Sequence, residues 1–128
     1  MRKLLFFALA LTLAIACSKP KPADLAAKAA KEYFDELIAG NFSAFLDAQY
    51  AANEVPPEYR KQLLNNLRGF IVQQKEEHSG IREIRISHAS ADSIEGEADV
   101  YLVFCYGDST TEEVLVPMRE RDGVWYVK

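Results

Sequence analysis

The spacing of apolar residues changes once along this chain, at Gly80, and that change limits the available folds more than any other feature. Before Gly80 apolar side chains recur every three or four residues, and after it they recur every second residue to the end. A repeat near 3.6 paints a stripe on a helix, whereas a repeat of two paints a face on a strand. Helices therefore come first and the sheet second, which predicts an α+β arrangement with helices covering one sheet face.

Three helical stripes precede the switch. Ala26, Ala30, Tyr33, Phe34, Leu37 and Ile38 mark one from Ala23 that stops at Gly40. Phe42, Phe45 and Leu46, with Tyr50 beyond them, mark a shorter one from Asn41. Pro56-Pro57, tolerated in a first helical turn, opens the third, with Tyr59, Leu63, Leu67, Phe70, Ile71 and Gln74 on one side and Gly80 as its stop. Four alternating runs follow. Ile84 and Ile86 carry the first; Ile94, Ala98, Val100, Leu102 and Phe104 the second; Val114, Val116 and Met118 the third; Trp125 and Val127 the last. Turns at Ala91-Asp92-Ser93, Gly107-Asp108-Ser109 and Asp122-Gly123 join them as a curved four-stranded antiparallel meander on which the three helices pack.

The amino terminus is of another kind. Arg2 and Lys3 precede 13 residues, Leu4 to Ala16, that are apolar apart from Thr12. A spanning helix needs about 20 apolar residues, whereas the apolar centre of an export signal has roughly 7 to 15 and ends in small side chains. Residues 1–16 are therefore expected to be a cleaved signal peptide. The tetrapeptide Ala14-Ile15-Ala16-Cys17 resembles the lipobox of bacterial lipoproteins, with Ala14 where that family prefers Leu. The resemblance implies that Cys17 becomes the first mature residue and carries a diacylglyceryl thioether and an acylated amine. One acyl chain holds a membrane reversibly and two or more hold it stably, at about 0.8 kcal/mol per buried methylene. Residues 17–22, with Lys-Pro-Lys-Pro at 19–22, then read as an extended tether, and 23–128 as one domain. Ser18 resembles the residue that forwards lipoproteins to an outer membrane, which implies a cell-envelope location on the periplasmic side.

The full chain has 15 basic and 19 acidic residues; the signal holds two of the basic ones, so the mature chain carries 13 against 19, a net charge of −6. No basic run exceeds two residues and no aromatic-basic interleaving occurs, so nucleic acid is not an expected partner. With Cys17 in a thioether, Cys105 has no partner in the chain and reads as a small buried hydrophobe in a strand.

"YFDELIAGNFSAFLDAQY" (33–50) resembles the two-helix opening of nuclear-transport-factor-two-like (NTF2-like) domains, and "MRERDGVWYVK" (118–128) resembles their final hairpin with its Gly-x-Trp strand. The likeness spans nearly all of 23–128, and more narrowly the chain is similar to small Bacteroides-type lipoproteins carrying such a domain. It implies a cone-shaped cavity between curved sheet and helices, which different members use for catalysis, for ligand binding, or only as a core.

Strand parity tests the chemistry such a cavity would need. If Ala98, Val100, Leu102, Phe104 and Tyr106 face inward, Glu95, Glu97 and Asp99 face out, and the inner face offers no acid. His88 shares the parity of Ile84 and Ile86 and is expected inside. Tyr33, Tyr50, His88, Phe104 and Tyr106 are the candidate pocket residues, an aromatic lining with hydroxyl handles. No His or Cys pair has ligand spacing, Glu76-Glu77-His78 reads as a solvated helix end, and neither a nucleophile elbow nor a phosphate loop occurs, so no catalytic residue, metal or cofactor is expected. Three readings stay open: a non-enzymatic domain binding a small apolar ligand or a protein; a cavity enzyme of the SnoaL-like isomerase or hydrolase type using His88 with Tyr33 or Tyr50; and a structural subunit of an envelope complex. Tyr101, Val103 and Cys105 on the outer sheet face suit a homodimer contact.

Overall fold

A computed structural model describes residues 19–92 and 94–128; the signal and Cys17 lie outside the described residues. The chain forms α1 (Pro22–Ile38), α2 (Phe42–Asp47), a short 3-10 turn at Ala52–Glu54, α3 (Pro57–His78), and then β1 (Ile81–Asp92), β2 (Glu97–Tyr106), β3 (Thr111–Arg121) and β4 (Val124–Val127). The strands pair antiparallel in chain order, so the α+β meander expected from the switch at Gly80 is the observed topology. Among the described residues no helix is long and apolar enough to cross a membrane.

Helix α1 starts at Pro22, inside the expected tether, because a proline in the first turn gives up an N–H that had no intrahelical partner. Its N-terminal half buries Ala26, Ala27 and Ala30, small enough to let the helix lie close on the sheet, and its C-terminal half fills the widening space with Tyr33, Phe34, Leu37 and Ile38. Opposite them the inner sheet face supplies Ile84, Ala98, Val100, Leu102, Phe104, Val116, Met118 and Trp125. Each full burial of such a large side chain contributes roughly 1.5–3 kcal/mol, so this cluster is the main source of cohesion. The free edge of β4 is covered by the chain leaving α2: Tyr50 N donates to Val127 O at 2.7 Å, and Val127 N donates to Ala48 O at 2.8 Å. Pairing an edge in this way removes a template for association with other chains.

Four expectations need correction. The first hairpin turn lies later than Ala91-Asp92-Ser93: β1 runs to Asp92, and Ile94 sits in the turn, 93% exposed, instead of opening the second strand. Asp92 causes this, since its Oδ1 accepts from Ile94 N at 3.0 Å and Glu95 N at 3.2 Å, bonds that compete with strand pairing. Gly96 then reverses the chain at φ +67°. Second, a β-bulge between Ile86 and His88 inserts Ser87, so Ala89, paired with Val100, takes the inward place and His88 turns outward with a side chain 61% exposed. Third, Ile86 is 43% exposed although it lies on the inner parity. Fourth, Tyr59 does not face in but is 52% exposed. Helix α3 touches α2 near one end and β1 near the other, and Gln74 is its one buried residue, with Leu63, Leu64, Leu67, Phe70 and Ile71 half-covered.

Candidate functional site

The last two turns of α3 and the step into β1 build a partly enclosed hollow. Helix α3 ends on Ser79 in the left-handed conformation at φ +61°, and Gly80 follows at φ +84° with its N donating to Gln74 O at 3.0 Å. This cap turns the chain sharply so that Ile81 starts β1 directly beneath the helix. Between them opens a cleft of about 230 Å³ lined by Ile38 at the end of α1, Ile71, Gln74 and Lys75 of α3, and Ser79, Gly80 and Ile81. Three isoleucines make its walls apolar. Gln74 is 9% exposed, and its Oε1 is buried with no hydrogen-bond partner. An unpaired buried acceptor costs about 1–3 kcal/mol, so this oxygen is a standing demand for a donor. Among the described lining residues Lys75 carries the charge.

A second cluster braces the cleft from behind. His78, the last residue of α3, lies flat on the Tyr106 ring at 4.2 Å between centroids and 20° between planes. Its Nδ1 is 3.2 Å from Asp108 Oδ2, while Tyr106 Oη donates to Glu112 Oε2 at 2.6 Å. Main-chain bonds run parallel to these contacts: Asp108 N donates to His78 O at 3.0 Å, and Gly107 N donates to Gly80 O at 2.8 Å. Burial, reinforced by the neighbouring Glu112 carboxylate, pushes the Tyr106 phenol up to about 12. Hydrogen bonds from Thr110, followed by the contact with His78, hold the Asp108 carboxyl below its usual range. His78 is therefore packed across two elements, contrary to the expectation of a solvated helix end, since the turn after β2 folds back against it.

The five candidate pocket residues do not converge. Tyr33 Oη donates to Trp125 O at 2.6 Å, a structural bond that ties α1 to β4, and burial raises its phenol. Phe104 is buried in the core against Phe34, with centroids 5.6 Å apart. Tyr106 belongs to the His78 cluster. Tyr50 lies by the β3–β4 edge, where the Arg119 and Arg121 guanidinium groups sit 5.2 and 4.7 Å from its ring centre. His88 stacks on Tyr101 at 4.2 Å on the outer face, with Nδ1 3.8 Å from Glu113 Oε1. The outer-face trio divides as well: Tyr101 and Val103 are half-buried, while Cys105 is a free, buried thiol. Among the described residues no three His, Cys, Asp or Glu side chains gather as a metal site. Sequence reasoning passed over the cleft, although one signal was present: Gln74 falls on an otherwise apolar stripe, which is where a buried polar group belongs.

No protein-family model and no curated protein sequence matches the chain. Among solved structures it is similar to a Campylobacter jejuni protein named as an NTF2-like transpeptidase, at TM-score 0.63 and 13% identity, over 78% of this chain and 94% of that one. It is also similar to a SEC-C motif-containing protein from Rhodopseudomonas palustris, at TM-score 0.52 and 15% identity, over 77% of this chain and 71% of the other. At these identities the likeness establishes the fold: the helices and sheet have the NTF2-like arrangement.

Proposed function

We propose that this protein is a lipid-anchored cell-envelope domain that binds a small apolar ligand in the cleft between α1, α3 and β1, without catalysing a reaction on it. The observation that carries the ligand reading is Gln74, a carboxamide placed in an apolar wall with its oxygen unanswered by any protein donor. Folding alone gains nothing from that placement, because leucine there would fill the same space at no desolvation cost. A bound molecule with one donor and an apolar body recovers the cost. Catalysis is left out because His88 is on the outer face, Tyr33 is bonded to Trp125 O and Tyr50 lies against two guanidinium groups, so the expected base and its tyrosine partners do not share one place. Support for the anchor comes from the short apolar run, its small closing residues and Cys17.

Intact-mass and native mass spectrometry of protein gently extracted from its own membranes tests both arms. Wild type is expected to start at Cys17 with an added diacylglyceryl mass and to carry a small-molecule adduct. Cys17→Ser should lose the lipid mass, and Ile71→Trp, which fills the cleft, should lose the adduct. Lipid that persists in the first variant overturns the anchor; adducts identical in wild type and the second overturn the binding site.

A further inference from the structure

We infer that the ligand of the α1–α3–β1 cleft is a neutral compound of the phenol class, one ring with one hydroxyl, held by donation of its hydroxyl proton to Gln74 Oε1; this rests on the ligand-binding reading above. Size sets the first limit. An apolar cavity of about 150 Å³ takes up benzene, so a cleft of about 230 Å³ has room for one substituted ring. Charge sets the second. The cleft lies at the C-terminal end of α3, where the last carbonyls carry partial negative charge, and its buried polar atom is another acceptor. A carboxylate would face both, and a single rim lysine contributes at most about 1 kcal/mol against that, since exposed ion pairs are weak. A cation would instead meet the Lys75 ammonium. A neutral donor satisfies every group present.

The third limit is the donor itself. Gln74 Oε1 is enclosed, so a ligand reaches it by a turn of the terminal amide torsion, which in glutamine is broad and roughly two-fold. A phenolic hydroxyl is a stronger donor than an aliphatic one, and a rigid ring between Ile38, Ile71 and Ile81 loses less conformational freedom than a flexible chain of equal size.

The test is a titration of the full-length protein with p-cresol, toluene and 4-methylbenzoate, read at the isoleucine δ1-methyl resonances of Ile38, Ile71 and Ile81. Saturable shifts of all three with p-cresol are expected, at a Kd about tenfold or more below that for toluene, the ratio a recovered buried hydrogen bond confers. No saturable shift is expected with 4-methylbenzoate. In Gln74→Leu, toluene should bind at least as tightly as p-cresol; Gln74→Met gives the same comparison should the leucine variant misfold. Toluene binding wild type as tightly as p-cresol, or 4-methylbenzoate binding better than either, overturns the phenol inference while leaving a binding cleft. Silence of all three methyls with every compound overturns the binding site itself.

Discussion

Tyr106 has its ring against His78 and its hydroxyl on Glu112, and burial together with the Glu112 carboxylate favours the neutral phenol. With the folded value pushed up to about 12 and the unfolded one near 10, the unfolded chain binds fewer protons than the folded chain between those limits. Stability should therefore be independent of this group below about pH 10 and fall as pH rises toward 12. Denaturant titrations across that window should show a shallower fall in Tyr106→Phe than in wild type; equal slopes would refute the assignment. Gly107 acts through space, since a Cβ there would collide with the carbonyl oxygen of Ser79. Gly107→Ala should separate the β2–β3 turn from the end of α3 and lower stability by about 1–3 kcal/mol, seen as a fall in Tm of several degrees. An unchanged Tm would mean that the junction yields freely. Tyr106 was legible as an inward residue from strand parity. Gly107 was legible as a turn residue, but its close neighbour Ser79 is 28 positions away and could be found only in three dimensions.

Elements differ in how firmly they are held. Helix α1 buries four residues under the sheet's whole width, whereas α3, with 22 residues, buries Gln74 alone. Local opening follows buried contact, so amides of Leu64 to Phe70 should exchange with solvent at least about tenfold faster than those of Ala27 to Leu37. Comparable protection in the two helices, read by hydrogen–deuterium exchange, would contradict that ranking. The half-covered α3 is also the element that walls the cleft, so ligand binding should slow its exchange most. Both helices were readable from their stripes. The inward face of β1 was not, because one inserted residue, Ser87, leaves alternation intact on either side while inverting it across the join. His88 was misplaced for that reason, and Ile94 because the carboxylate of Asp92 captured the two amides that would otherwise have begun the next strand.

At the scale of the whole molecule, α1 and the sheet form a closed core, while α3 leaves a seam along one side that ends in the cleft. The clasp of His78, Tyr106, Asp108 and Glu112 fixes one end of that seam, and Arg60, 3.0 Å from Asp47, fixes the other. The sequence by itself determined the class of fold, the chain order of helices and strands, and which parity of β2 and β3 is apolar, because periodicity is local and each residue contributes its own preference to it. Tertiary structure alone decided where the site is. Ile38, Ile71, Gln74 and Ile81 come from three elements, and only their packing shows that one acceptor among them is left without a donor. An unsatisfied group is the absence of a neighbour, and an absence has no signature in the order of residues until the chain has folded around it.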